Sequence, residues 1–306
     1  MLDVVIVGGS SAGLSAALVL GRSLRKVVVV DDQKPCNRFS HASHGFLTRD
    51  GTSPSDLLDI AREQLKRYPS VVLKAATVLQ IEKIDGAFEI TSSDDSKLQA
   101  RKVLLATGLH DELPALDGID ALWGKGVFHC PYCDGYEVSG QALAVYGEDE
   151  ASLHQVMMLR NWTNDLTLCA AGGWKLTSAQ HQRLARYGIN VVETPIAALE
   201  SAGSQLQAVR FVDGTSLRCN ALFISPRTTH RTPFAHDLGC QVNENNVVQV
   251  DLRGRTSTEG IYAAGDISSP MRSVAIAVAQ GAAAAYGINA DLVDEDFPEA
   301  AETASY

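Results

Sequence analysis

The sequence predicts an α/β protein of two three-layer domains, the second inserted in the first. Two strand–turn–helix–strand units open at Leu2 and at Ala142. Their strands read as continuous apolar runs, the pattern of parallel strands covered on both faces. A further strand and a long helix, 260–292, follow the second unit and leave it nested in the middle of the chain. The length of 306 residues suits two domains of roughly 150 residues each.

In chain order, "LDVVIV" (2–7) is a buried strand, "GGSSAG" (8–13) a turn, and a small-residue helix runs to about Arg25. "VVVV" (27–30) is a second buried strand, ending in Asp31 and Asp32. Strand signals at 70–74, 78–83 and 88–91, separated by polar turns, predict a small meander. "KVLLAT" is another buried strand, ending at Thr107 and Gly108, and Pro114 breaks the pattern after it. The second unit comprises "ALAVYG" (142–147), a helix over about 150–161 and "LTLCAA" (166–171). Then come "ALFIS" (221–225), a loop rich in Thr, Arg and Pro, "GIYAAGD" (260–266) and a last helix over 273–292. The first domain is expected at 1–112 and 242–306, with the insert at 113–241. The Gly/Pro/polar segments "LHDELPALDG" and "GCQVNENN" are the expected linkers.

Composition narrows the function classes. With 45% hydrophobic and 20% charged residues the chain is an ordinary globular one. A net charge of −10 and the lack of a Lys/Arg block argue against a nucleic-acid partner. "MLDVVIV" enters a strand directly, and no apolar run approaches the ~20 residues of a membrane span. A soluble cytoplasmic protein with no membrane partner is expected. The acidic run from Asp291 to Glu302 is expected to be a solvated tail.

Of six cysteines, at 36, 130, 133, 169, 219 and 240, only Cys130 and Cys133 are closely spaced. No second Cys/His pair stands at ligand spacing, so a zinc site is not expected. A secreted disulfide scaffold does not suit this length and cysteine density. The pair is expected to be redox-active, and the four single cysteines to be small core residues.

The turn "GGSSAG" follows a strand and opens a helix, the setting that points backbone N–H groups at a pyrophosphate. Gly8 and Gly13 hold the first and third glycine positions of a Rossmann-like fingerprint. Ser10 stands where the second is expected, with Gly9 beside it. Asp31, at the end of the second strand, is placed for a ribose hydroxyl, and Asp32 is the fallback. "GIYAAGD" ends a strand in Gly265 and Asp266, whose carboxylate can meet a ribitol chain. FAD has that chain and NAD lacks it, so FAD is the expected cofactor. The last helix starts near Ser273, where its dipole favours negative charge on a reduced flavin.

With "GGSSAG", "ATG" (106–108), "CPYCDG" and "GIYAAGD" in this order, the chain resembles the low-molecular-weight thioredoxin reductases over essentially its whole length. "HGFLTRDG", "FHCPYCDGYE" and "SPRTTHRTPFAHDLGC" look closer to the branch with gliotoxin- and holomycin-type dithiol oxidases and deeply branching bacterial reductases. The resemblance implies a homodimer whose domains rotate about their linkers. It implies that Cys133 faces the flavin, Cys130 exchanges with substrate and Asp134 is the general acid/base. His129 is a second candidate for that last role, against a backbone-bonded strand-end residue. Ala12, Ala106, Thr107, Gly108, Ser273, Val274 and Ala275 fall at the flavin-binding positions. Some relatives cover the cofactor with an aromatic C-terminus, which brings in Phe297 and Tyr306. A thioredoxin-like protein or a small dithiol/disulfide is the implied substrate.

One departure concerns the electron donor. NADPH-using relatives carry a second Gly-rich turn and then arginines for the 2′-phosphate. Here "GEDEAS" (147–152) keeps Gly147 alone and puts Glu148, Asp149 and Glu150 where a pyrophosphate would sit. "CAAGGWK" follows with no arginine pair, only Lys175. An ordinary NADPH site is therefore expected to be lost. Oxygen as acceptor, a ferredoxin-type donor docking on Arg227, Arg231 and Arg272, or a second FAD in the vacated cleft would replace it. Trp162 and Trp174 are candidates to stack on such a ligand, against core packing. An NADPH-dependent thioredoxin reductase with unusual site residues is the alternative. A non-catalytic flavin-bound redox sensor or scaffold is the alternative of another class.

Overall fold

The computed structural model describes residues 1–170 and 174–298. The chain forms two compact units, Met1–Cys36 with Ser55–His110 and Thr228–Tyr306, and Asn37–Pro54 with Asp111–Arg227. The segment "GCQVNENN" turns back within the first unit, where Val242 bridges Val248.

In the first unit, strands Val71–Ala75, Val27–Asp31, Leu2–Val7 and Lys97–Leu105 are neighbours in that order and run parallel. Ile261–Ala263 joins as a fifth parallel strand beyond the C-terminal half of Lys97–Leu105. Alternation on these strands feeds two cores at once. Val4, Ile6, Val27, Val29 and Leu104 face one side, with helices Ser11–Arg22 and Val274–Asp296. Val5, Val7, Val28, Val30, Val103 and Leu105 face the other, with Phe88, Ile90 and Phe234. Burial on both faces is why these strands read as unbroken apolar runs.

The meander differs from expectation by one strand. It is built of Val78–Ile84, Ala87–Ser92 and the first half of Lys97–Leu105, all antiparallel. The run near 70–74 instead forms the edge of the parallel sheet. An edge strand lacks a neighbour on one side, and Val72 and Leu73, on opposite faces, are both about half exposed, so its pattern imitates a meander strand.

The second unit repeats the plan. Asn190–Val192, Leu166–Ala170, Leu143–Gly147, Ala221–Phe223 and Val127–Phe128 form a parallel sheet in that order. Helix Glu150–Leu159 packs Leu153, Val156 and Leu159 on one face, together with Trp162 and Trp174. A separate antiparallel meander, Ile196–Ala202, Gln205–Phe211 and Ser216–Arg218, supplies core residues on the other. Both units are thus three-layer α/β. Among the described residues no helix is long and apolar enough to cross a membrane.

The acidic run is not a solvated tail over 291–296. The last helix extends to Asp296, and its carboxylates pair with basic groups of the first unit. Asp291 binds Arg255 and Tyr262, Glu295 binds Lys102 and Arg101, and Asp296 binds Arg25 and Arg101. These partners hold all three carboxyls below their ordinary range, so this fastening is lost as pH falls into the acid range. Phe297 is exposed, and Tyr306 lies outside the described residues.

Candidate functional site

Cys130 and Cys133 are joined by a disulfide, with their Cα atoms 5.3 Å apart. The spacing follows from local structure. Cys130 is the extended N-cap of a single helical turn, Pro131–Asp134, with proline at the first position where no N–H is needed. The amides of Cys133 and Asp134 both return to the Cys130 carbonyl, at 3.1 and 3.2 Å. Asp134 therefore projects from the turn that fixes the pair. Burial pushes its carboxyl up to about 7, Glu137 adds to the shift and His44 opposes it. A carboxyl poised near neutrality can both give and take a proton at working pH.

His129 packs against Trp123 with ring centroids 5.8 Å apart and planes tilted by 34°, and its carbonyl accepts from Gln155 Nε2 at 2.9 Å. Tyr132 and Tyr136, flanking Cys133, are largely exposed, and Tyr132 meets Trp162 edge-on at 5.9 Å. His44, from the "HGFLTRDG" segment, comes close to the dithiol segment. Its ring lies 3.4 Å from Glu137 Oε1 and 3.7 Å from Asp50 Oδ1. His41 is exposed, and Arg49 donates to the Thr48 carbonyl.

The turn after the first strand leaves backbone bare. Gly8 has φ +107°, and a Cβ there would fall 2.2 Å from the Ala106 carbonyl oxygen. A Cβ on Gly13 would fall 1.9 Å from that of Gly8, and one on Gly9 would meet the Asp31 side chain at 2.8 Å. Ser10 caps helix Ser11–Arg22 with no side-chain hydrogen bond, which leaves the first helical N–H groups to a ligand. Asp31 lies 3.6 Å from Arg62, and Asp32 is bound by Arg231 Nη2 at 2.9 Å. On the adjacent strand end, between Ala106 and Gly108, the buried Thr107 Oγ1 has no partner.

Asp266 begins a short helical turn and accepts from Arg272 Nε at 3.2 Å, while Arg272 Nη2 donates to Cys36 Sγ at 3.1 Å. Gln280 accepts the Gly265 amide at 3.0 Å. Ser273 caps the last helix through the Ile276 amide, with Val274 and Ala275 in its first turn. Arg231 and Arg272, two of the three arginines expected to form a docking patch, are thus paired with carboxylates of their own unit.

These residues fit FAD. The uncapped helix and Cβ-free turn can hold a pyrophosphate, Asp31 a ribose and Asp266 a ribitol hydroxyl, and Thr107 Oγ1 is an orphaned group that a bound cofactor can satisfy. Thr107→Val is accordingly expected to lower flavin affinity by about tenfold while leaving the flavin-free protein as stable or more so, since an unpaired buried hydroxyl costs about 1–3 kcal/mol. Flavin titration and thermal unfolding with and without flavin check both halves.

The second Gly-rich turn is built differently. Asp149 is the N-cap of Glu150–Leu159, and its Oδ1 accepts both the amide and the hydroxyl of Ser152 at 3.0 Å. Ser152 Oγ in turn accepts the Glu148 amide at 3.2 Å. Tyr146 donates to Glu148 at 2.9 Å, and Gln180 donates to Glu150. Trp174 covers Gly147, where a Cβ would fall 2.9 Å from its ring. Of the single cysteines, Cys169, Cys219 and Cys240 are buried core residues, and burial pushes the first two up to about 12. Cys36 is half-buried beside Arg272.

The pyridine nucleotide-disulphide oxidoreductase family matches residues 2–281, and the chain belongs to it. It is a thioredoxin-reductase-like flavin disulfide oxidoreductase. TrxB from Bacillus anthracis is 36% identical, with 97% of this chain and 100% of that one covered and a TM-score of 0.93. HlmI is 35% identical over 96% and 93% of the two chains, with a TM-score of 0.91. Thioredoxin reductase aclD of Aspergillus oryzae is 29% identical, with 97% of this chain and 98% of that one covered.

Proposed function

We propose that this chain is an FAD-dependent dithiol/disulfide oxidoreductase that passes two electrons between flavin and substrate through Cys130 and Cys133, without an ordinary NADPH site. The observation that carries the reaction is the Cys130–Cys133 disulfide with Asp134 poised beside it. FAD, held at Gly8–Gly13, Asp31, Ala106–Gly108, Gly265–Asp266 and Ser273–Ala275, supplies two-electron acceptance and return when bound. The protein's own steps are thiol chemistry. A substrate thiolate attacks Cys130 Sγ, the Cys130–Cys133 bond breaks and Cys133 departs with the electron pair. Asp134 moves the proton. The second substrate thiol then displaces Cys130, which leaves an oxidised substrate and a reduced protein dithiol. The same steps run backwards reduce a disulfide. Relatives named thioredoxin reductases support a thioredoxin-like protein or a small dithiol/disulfide as substrate. A homodimer in the cytoplasm is the expected setting.

The second turn supports the loss of NADPH binding. The helix Ser11–Arg22 starts with no side-chain cap, whereas in the second turn Asp149 already accepts the Ser152 amide of helix Glu150–Leu159 and Ser152 Oγ accepts the Glu148 amide just before it. A pyrophosphate would have to displace this internal cap and sit among three carboxylates, at a cost of several kcal/mol.

Anaerobic addition of NADPH to the purified protein tests the proposal, with flavin counted per chain. No bleaching is expected with NADPH, and bleaching is expected with a small dithiol in the wild type but not in Cys130→Ser. Rapid bleaching by NADPH at one flavin per chain would establish the ordinary reductase instead. A count near two flavins per chain would place the second flavin in the vacated cleft, and turnover only with oxygen or reduced ferredoxin would name the partner.

A further inference from the structure

We propose that His44 is a positioning residue for proton transfer at the dithiol, brought in by the 43–52 loop so that its pairing with Glu137 sets the charge that Asp134 faces. The inference rests on the proposed acid/base role of Asp134.

The loop is held shut by backbone. Ser43 donates to the Thr52 carbonyl at 2.7 Å, Gly51 returns to the Ser43 carbonyl at 3.0 Å, and the Gly45 amide donates to Asp50 Oδ1 at 2.8 Å. His44 leaves this closed loop with both ring nitrogens engaged. Nδ1 faces Asp50 on its own loop, and Nε2 faces Glu137, three residues beyond Asp134. A histidine that only fastened the loop would need Asp50 alone. The second contact, to a carboxylate of the dithiol segment, is what ties it to the chemistry.

Charge explains what that contact does. Glu137 and a protonated His44 act on Asp134 in opposite senses, both behind burial itself. Glu137 holds the Asp134 proton on, and an imidazolium at His44 loosens it. Facing His44 are Asp50 from the loop and Glu137 from the dithiol segment, with Asp134 within electrostatic reach. His44 and Glu137 therefore oppose one another at the Asp134 carboxyl, and deleting either member tips Asp134 in a defined direction.

The test is single-turnover exchange between the reduced full-length flavoprotein and an aromatic disulfide whose thiolate is coloured. Attack by the Cys130 thiolate releases one coloured thiolate and forms a mixed disulfide. Closure of Cys130–Cys133 then releases the second, so two thiols are oxidised and one aromatic disulfide is reduced. The rate is followed against pH. In His44→Gln the midpoint of the profile is expected to rise by about half a pH unit, in Glu137→Gln to fall by at least as much, and in the double variant to lie between the two single variants. Asp50→Asn keeps an oxygen for the Gly45 amide, removes the loop charge at His44 Nδ1, and is expected to shift the midpoint by much less than His44→Gln.

Lower rates at an unchanged midpoint in both single variants would overturn the proposal, as would shifts in the same direction. So would an Asp50→Asn shift equal to that of His44→Gln, which would make His44 a loop fastening only. Failure of the underlying role looks different: the wild-type profile would keep its midpoint in Asp134→Asn.

Discussion

Asp134→Asn is expected to slow disulfide exchange by about a hundredfold or more, the range typical of losing a placed general acid/base, and to stabilise the protein above neutral pH. The two effects have one cause. Burial, reinforced by Glu137, raises the folded-state carboxyl to about 7 from 3.8. Between these values the folded protein binds a proton that the unfolded chain does not, so stability falls as pH rises from about 4 to about 7 and stays lower above that. Asparagine keeps the shape and carries no charge. At about pH 8 the variant should be more stable by about 1–2 kcal/mol, after discounting the ~1.4 kcal/mol per unit for a half-buried group that water still reaches. At about pH 4 the gain should vanish. Thermal unfolding at the two pH values and stopped-flow exchange measure the two halves. Equal stability at both values, with exchange unimpaired, would remove Asp134 from the mechanism.

What could be read from sequence follows how local each signal is. The strands Leu2–Val7, Val27–Asp31 and Leu143–Gly147 were legible because burial on both faces leaves short, largely β-branched apolar runs bounded by turn residues. The turns at Gly8 and Gly147 were legible because each is contained in a few residues. The edge strand Val71–Ala75 was misassigned because half-exposure erases the difference between a parallel edge and a meander. The acidic run misled because its partners, Arg25, Lys102, Arg101 and Arg255, are far away in sequence. Without them, carboxylates in series read as solvated. The same limit hid Arg231 beside Asp32 and Gln280 beside Gly265. His44 stood in a noticed loop, "HGFLTRDG", yet only folding brings Glu137 within 3.4 Å. Three acids in a Gly-rich turn signalled repulsion, but that Asp149 would use its carboxylate as the helix cap was a matter of geometry.

Gly13→Ala is expected to abolish flavin retention and lower stability by about 2–3 kcal/mol, the cost of forcing extra volume into a closed contact. Its Cβ would fall 1.9 Å from the Gly8 carbonyl oxygen and 3.2 Å from the Ile6 side chain. The near atom is backbone, so no rotamer relieves the clash; the helix start must move away from the strand end. That movement carries off the uncapped N–H groups of Ser11–Arg22 that are proposed to hold the pyrophosphate. A loss of flavin through general unfolding would look similar, so Asp31→Asn is the companion. It preserves shape, leaves the turn intact and removes the charge proposed to meet the ribose along with a part-exposed pairing to Arg62, so flavin should bind about tenfold more weakly with the flavin-free melting temperature little changed. Visible absorbance per chain and melting temperature separate the two. If Gly13→Ala keeps one flavin per chain at the wild-type melting temperature, the first turn is not the cofactor cradle, and the reading of this chain as an FAD enzyme loses its main support.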